Sequence, residues 1–474
     1  MNDFILAAPL VAMSFLSVIC IVVDALSPKP GKIPFMFAGF SLLGALLLTI
    51  PTFWYHGTAF QNMITVGGYS AFFDVLFLIG GLLTLFAGRP YIAREHFDHD
   101  EFYSLIMFSV AGMMVIGHSN NLLISFIGIE IMSVSFYVLS GYLRKSIRSI
   151  ESALKYFLLG SFATGFLVFG IALLYGATGT LEFPAMHAAV VADKLNFPNL
   201  LTVGIALVLI GLSFKAAAFP FHQWAPDVYE GAPTVVTAFM STAGKAASLS
   251  ALIPVIAAVV PQTNWKVGMV LAVISAATML VGNISAVVQS NIKRMLAYSS
   301  VAHAGYLMMG FVANNPNGMT GVLFYSAAYL FMQIGAFVIV SLIEKENDGN
   351  LQLADYAGLS KRNPVLAALM ALFMFSLAGI PPMAGFFGKY YLFIAAVEAG
   401  YTWLTIVAVI SSMISVYFYI GLVVTMYFKD STDTTEQDSK PGLAGVTLAI
   451  SCAFVIILGL FPQLIEKLAH SFFM

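Results

Sequence analysis

The chain has 474 residues, of which 60% are hydrophobic and only 9% charged, with a formal net charge of −2. Ordinary globular domains carry about 25% charged residues, so a soluble fold cannot hide this much apolar surface, and the charge leaves no basic footprint for nucleic acid. Its two cysteines, Cys20 and Cys452, lie far apart in apolar runs, which excludes a disulfide framework or a cysteine-ligated cluster within the chain.

From Asp3 the chain enters an apolar run with no basic segment before it, which reads as a retained first span rather than a cleaved signal. Windows able to cross a ~30 Å hydrocarbon core need roughly 17–25 residues. They fall at 4–26, 33–53, 70–88, 102–118, 121–143, 152–177, 200–220, 233–260, 266–288, 295–313, 318–343, 364–398, 401–428 and 442–465. These predict an all-α polytopic membrane protein of about fourteen spans, numbered here in that order. Span 12 is too long for one straight helix and carries Ile380-Pro381-Pro382 at its middle. Proline removes a backbone donor and clashes with the preceding turn, so two half-helices are expected there, and a similar break at Pro220 in span 7. Irregular backbone at membrane depth is tolerated where it is buried in protein or lines a wet cavity.

Fifteen of the 21 Lys+Arg follow odd-numbered spans: Lys29, Lys32, Arg89, Arg94, Arg144, Lys145, Arg148, Lys155, Lys293, Arg294, Lys345, Lys361, Arg362, Lys429 and Lys440. The opposite side receives Lys194, Lys266 and Lys467. The positive-inside rule then puts both termini outside. One inner loop is an exception, with Asp227 and Glu230 and no base, so its side follows from parity alone.

The three remaining bases, Lys215, Lys245 and Lys389, fall within spans 7, 8 and 12, and are joined there by Glu130 in span 5 and His303 in span 10. An ionisable side chain inside a span is unfavourable by a few kcal/mol on insertion scales and marks a functional site by default. Each also has a bland reading. Glu130 and Lys215 suit a static ion pair, although such pairs are weak sources of stability. The small residues around Lys245 suit either water or close helix packing. His303 reads as a satisfied core histidine or a proton relay. His222 reads as a relay or an interfacial anchor. Asp24 and Asp74 are taken as structural, and Glu398 as solvated.

The segments FHQWAPDVYEGAP (221–233), KRMLAYSSVAHAGYL (293–307) and AGIPPMAGFFGKYYLF (378–393) resemble signature segments of the antiporter-like membrane subunits of proton-pumping NADH:quinone oxidoreductase, respiratory complex I, and above all the bacterial N-subunit family. Lys389 favours N- or L-type subunits, because M-type subunits carry glutamate at the matching position. The chain ends at Met474, after span 14, without the long lateral helix of L-type subunits. The resemblance implies two inverted five-helix repeats, spans 4–8 and 9–13, with broken helices 7 and 12. An offset of five spans inverts the second unit. The domains expected are 1–100, 101–260, 261–430 and 431–474. The resemblance also implies a proton relay of Glu130, Lys215, Lys245, His303 and Lys389, with Lys155 near the cytoplasmic intake.

In that relay a nearby carboxylate holds the lysine proton and its separation frees it. A unit pair at 4 Å is worth roughly 4 kcal/mol at an effective dielectric of 20, or about three pKa units. No Rossmann fingerprint, phosphate loop or cysteine cluster is present, so NADH, FMN, iron–sulfur clusters and quinone are expected in partner subunits and no cofactor on this chain. Expected partners are the antiporter-like M subunit, small membrane subunits and, indirectly, the peripheral redox arm, in a bacterial inner membrane. A sodium/proton antiporter subunit using the same lysines is the alternative, and a passive helical scaffold the third reading.

Overall fold

Backbone amides in hydrocarbon have no water to bond, so a chain this apolar must close its hydrogen bonds inside helices. The computed structural model describes residues 3–28, 31–95, 101–259, 265–345, 349–430 and 441–473. Lys29 and Lys440 lie outside the described residues. Spans 1 to 7 are Ala8–Leu26, Lys32–Thr49, Tyr69–Arg94, Glu101–His118, Leu122–Ser140, Ile147–Thr178 and Pro198–Ala216. Spans 8 to 11 are Thr234–Val259, Lys266–Val287, Ile292–Ala313 and Pro316–Ile343, and span 13 is Thr402–Phe428. These twelve helices are long and apolar enough to cross a membrane.

The last two expected crossings differ from straight spans. At span 12 the halves Pro364–Ala378 and Ala384–Glu398 have 15 residues each, about 22 Å at 1.5 Å per residue, so neither crosses alone. At span 14 the helix Ala444–Leu460 bends by 79° into Gln463–Ala469. The expected window of 442–465 is thus corrected: Pro462 turns the chain, and the count of fourteen is reached only if both interrupted pairs are taken as single crossings. The all-α class holds, with one small addition in a connecting loop. A short antiparallel hairpin, Gly57–Ala59 against Ile64–Val66, joins spans 2 and 3.

Both expected breaks are present, one displaced. Span 12 stops at Ala378, where Gly379 adopts φ 86°. Span 7 stops at Ala216, earlier than Pro220, because Ala217 turns left-handed at φ 57° while the amide of Ala218 bonds the carbonyl of Ser213. Lys215 therefore sits in the last turn of a half-helix, and a short helix, Trp224–Gly231, follows the break.

Backbone detail recurs at a constant offset of 170 residues (121 to 291, 182 to 352). Asn121 bridges to Glu182 and Asn291 to Gln352. The amide of Leu122 bonds Leu181 O at 2.9 Å, and that of Ile292 bonds Leu351 O at 2.9 Å. Asn121 and Asn291 each cap the helix that follows. The packing repeats too. A methyl on Gly112 would lie 2.6 Å from Met132 N, and one on Gly282 2.5 Å from Ala302 N. Spans 4 and 5, like spans 9 and 10, therefore cross at backbone contact, as small residues allow in membranes.

Spans 10 and 11 are buried almost throughout and form the axis of the bundle. Phe15, Phe40, Phe162, Val273 and Met413 on spans 1, 2, 6, 9 and 13 stay exposed, an apolar outer surface suited to lipid or to neighbouring membrane helices.

Candidate functional site

Span 10 supplies the spine of the site. Ser300, His303 and Tyr306 are spaced i, i+3, i+6 and so share one face. Lys245 donates to both Ser300 O (2.5 Å) and Ser300 Oγ (2.6 Å). It is brought there by an irregularity in span 8, a π-helical turn at Met240–Gly244 that ends at Lys245. Such wide turns concentrate at functional positions. One turn on, His303 Nδ1 lies 2.6 Å from Tyr325 Oη and Nε2 3.0 Å from Tyr419 Oη, and Tyr419 is hydrogen-bonded in turn to Ser299. The Tyr306 ring carries Lys389 over its face, Nζ 5.0 Å from the centroid.

Lys389 reaches back across the break of span 12. It donates to Leu377 O (3.1 Å) and Ala378 O (2.9 Å), the carbonyls left open where the first half-helix ends, and to Ser412 Oγ (2.9 Å) on span 13. A cation at a helix C-terminus is favourably placed with respect to the helix dipole. The same holds for Lys215 in the last turn of the span 7 half-helix. Its Nζ donates to Ser133 Oγ at 2.8 Å and Tyr137 Oη at 3.2 Å, both on span 5. Lys215, Lys245, His303 and Lys389 are all at most 5% exposed.

The structure does not join all the expected members. Glu130 is half-buried on span 5 and accepts from Thr164 Oγ1 on span 6 at 2.9 Å. Among the described residues it makes no direct ion pair with Lys215, so the static-pair reading is not what forms, but the two lie close enough to interact electrostatically. Lys215 and Lys245 are not hydrogen-bonded to a common group either. The Phe136 ring packs against Gly244 so closely that a methyl there would meet it at 2.6 Å. His222 stacks on Phe219 at 5.7 Å and shares no hydrogen bond with the relay groups among the described residues.

A polar cleft of about 240 Å³ opens at the end of the molecule where span 6 begins, lined by Arg148, Glu151, Ser152, Lys155, Asp227, Glu230 and Arg294. Lys155 bridges Glu151 (2.8 Å) and Asp227 (3.0 Å), and Arg294 bridges Asp227 (2.8 Å) and Glu230 (2.9 Å). The acidic loop that broke the charge pattern thus neutralises bases of its own end. Burial pushes the Asp227 carboxyl up, but hydrogen bonds from Arg294 and Lys155 outweigh it and hold the group below the usual carboxylate range. Beside the cleft a chain of aromatic rings leads to Lys215: Trp224 stacks on Tyr156 at 4.5 Å, and Tyr156 meets Tyr137 edge-on at 4.8 Å.

Sequence reading missed Ser133, Tyr137, Ser300, Tyr325, Tyr419 and Ser412. Spacing alone offers a signal for some, since Ser133 and Tyr137 follow Glu130 at helical intervals. It also left Asp74 as a lone structural acid, whereas Asp74 Oδ2 and His118 Nε2 form a buried pair at 2.7 Å. Lys293, counted with the loop bases, is buried as well, with Nζ 2.7 Å from Ala232 O and 3.9 Å from Glu344.

A family model described as NADH:quinone oxidoreductase/Mrp antiporter, TM, matches residues 119–415. NADH-quinone oxidoreductase subunit N 1 of Chloroherpeton thalassium is 45% identical, covering 99% of this chain and 98% of that one. Subunit N of Trichlorobacter lovleyi is 41% identical over 98% and 95%. Among solved structures, a chain of respiratory complex I from Thermus thermophilus with bound aureothin superposes with a TM-score of 0.83 at 32% identity, covering 98% of this chain and 99% of that one. A chain of the Mrp complex from Dietzia shares the fold at a TM-score of 0.82 and 23% identity, covering 99% and 96%. With a family match across its central spans and near full-length likeness to N subunits, this chain belongs to the NADH:quinone oxidoreductase/Mrp antiporter membrane family and, within it, to the subunit N group.

Proposed function

We propose that this chain carries protons across a bacterial inner membrane as the N subunit of an NADH-quinone oxidoreductase, through Glu130, Lys215, Lys245, His303 and Lys389, while quinone is reduced in other subunits. The observation that carries the reading is what the buried lysines touch. A lysine kept for structure is best paired with a carboxylate. Here Lys215 has Ser133 and Tyr137, Lys245 has Ser300, and Lys389 has Ser412. A hydroxyl accepts from an ammonium and, turned round, donates to a neutral amine. Each lysine therefore has a partner in either protonation state. His303, between two tyrosine hydroxyls, has the same freedom.

The order of transfer follows the contacts. Lys155 and the ionic cleft supply the intake, the aromatic stack and Tyr137 adjoin Lys215, and Ser300, His303 and Tyr306 lead along span 10 to Lys389. The step from Lys215 to Lys245 requires the Phe136 ring to move off Gly244. Glu130 is half-buried beside Thr164, and a change in its distance from Lys215, driven by a neighbouring membrane subunit, would hold or free the lysine proton. In this reading NADH, FMN, iron–sulfur clusters and quinone belong to partner subunits, the peripheral arm acts from a distance, and both termini face the periplasm. The test is proton translocation by the assembled complex in vesicles with Lys245 or Lys389 replaced by Met. Translocation at the parental rate would refute the relay.

A further inference from the structure

Span 11 lies on the axis of the bundle, yet one face of it is polar. Ser326, Tyr329 and Gln333 are spaced i, i+3, i+7 and so share a stripe. All three are buried, and among the described residues Ser326 Oγ and Gln333 Oε1 have no hydrogen-bond partner, while Tyr329 Oη has at most the Ser300 hydroxyl beside it. A buried polar atom without a partner loses its hydration for nothing in return, and native interiors hold few of them. Two such atoms flanking a tyrosine hydroxyl on one face of one helix call for a shared partner, and buried water is the usual one where polar atoms converge.

The stripe has two ends. At one, Tyr329 stands beside Ser300, the residue that holds Lys245, and its ring lies 4.9 Å from His303. At the other, Gln333 Nε2 donates to Leu296 O at 3.2 Å on span 10. Lys293 comes three residues before Leu296, about 4.5 Å along the helix axis at 1.5 Å per residue. Lys293 faces Glu344, whose other oxygen accepts from Thr234 Oγ1 at 2.6 Å. This buried base and acid sit at the inner ends of spans 8, 10 and 11, and the relay described above leaves them unused.

We propose that Tyr329 and Gln333 hold internal water that connects the Lys293–Glu344 pair to Ser300 and Lys245, giving the relay a second inlet from the inner side. The inference rests on the relay reading. Protons then reach Lys245 without passing Lys215 or the Phe136 contact. Phe337 and Val340 occupy the stripe between Gln333 and Glu344, so the inlet is narrowest there.

Two measurements on the assembled complex test it. In a density map that resolves ordered water, density is expected within hydrogen-bond reach of both Gln333 Oε1 and Tyr329 Oη; a dry, filled stripe overturns the inlet. In vesicles, Gln333→Leu should slow proton translocation about twofold, the loss expected when one of two comparable parallel inlets closes, with a changed solvent deuterium isotope effect. Gln333→Asn should recover part of the rate, which mere loss of packing against Leu296 would not produce. If Gln333→Leu fails to assemble, the pair Ser326→Ala with Tyr329→Phe serves in its place with the same expected slowing. The relay reading and the inlet fail differently. Normal translocation by Lys245→Met sinks the relay. Loss in Lys245→Met with parental rates in Gln333→Leu and Glu344→Gln sinks the inlet alone.

Discussion

Replacing Lys245 with Arg separates a proton carrier from a structural pin. The two contacts to Ser300, at 2.5 and 2.6 Å, tie span 8 to span 10. Each is a hydrogen bond from a charged group, worth roughly 1.5–3 kcal/mol. A guanidinium can supply the same donors, so a pin survives the exchange, while Lys245→Met removes them in either case. Proton release does not survive it. A model-compound difference of about 3.4 pKa units between Arg and Lys amounts to roughly 4–5 kcal/mol, or on the order of 10³-fold in rate if it enters the barrier in full. Both side chains would meet the same buried surroundings, so the difference carries over to the site. The assay is quenching of a ΔpH dye in inverted membrane vesicles, with NADH–quinone activity and assembly followed in parallel. An assembled Lys245→Arg complex that translocates protons at the parental rate would refute the reasoning, and a Met variant that alone fails to assemble would mark Lys245 as a pin.

Tyr137→Phe removes the 3.2 Å acceptor of Lys215 but keeps the ring under its ammonium; translocation in the same assay should drop by about tenfold, and an unchanged rate would show that Ser133 suffices. Gly112→Val drives side-chain atoms into the backbone of span 5, 2.6 Å from Met132 N for the first carbon alone, and Gly282→Val does the same in the second unit. Each should cost about 3 kcal/mol or more and deplete the subunit from assembled complexes on native gels, whereas normal assembly would mean that the crossing can open. Arg294→Gln removes both of that residue's bridges in the cleft. Because the Asp227 carboxyl is held down in the folded chain, its ion-pair stabilisation is present above the unfolded carboxylate pKa of about 4 and is lost as pH falls through the lower folded value. The destabilisation by Arg294→Gln in thermal melts should therefore shrink in acid, and a difference that stays constant with pH would contradict that assignment.

The spans were legible because hydrocarbon forces helices, and a long apolar run has few other solutions. Where the chain departs from a straight crossing, the reasons are local and finer than a hydropathy window. Pro381 and Pro382 marked the second break well, since Gly379 closes the helix just before them. Pro220 marked the first only approximately, because the helix is ended by the left-handed turn at Ala217 and the proline merely lies in the loop that follows. At Pro462 the apolar average ran on through a sharp bend. Partner choice was less accessible still. Lys215 turns to Ser133 and Tyr137 rather than to Glu130 on the same face, a matter of where along span 5 the end of span 7 comes to rest, which composition does not record. The acidic loop looked anomalous in a count of bases alone, yet Asp227 and Glu230 are the counterions of Arg294 and Lys155. The π-helical turn beside Lys245 left no sign beyond a run of small residues.

That wide turn makes the register of span 8 a property in its own right. A π turn is an α-helix carrying one residue too many, so deleting a single residue between Met240 and Gly244 would restore the ordinary winding with Lys245 facing nearly the same way. A deletion from the regular helix at Thr234–Phe239 would instead swing everything beyond it by about 100°. In that second case Lys245 would keep its chemistry and lose its address, facing away from Ser300 while the chain before the deletion stayed in place. Chain length, as much as side-chain identity, is then what aims this lysine. A relative can lose one residue at the wide turn and keep the path, but a one-residue gap in the regular helix before it would silence or redirect the path with every titratable group still present.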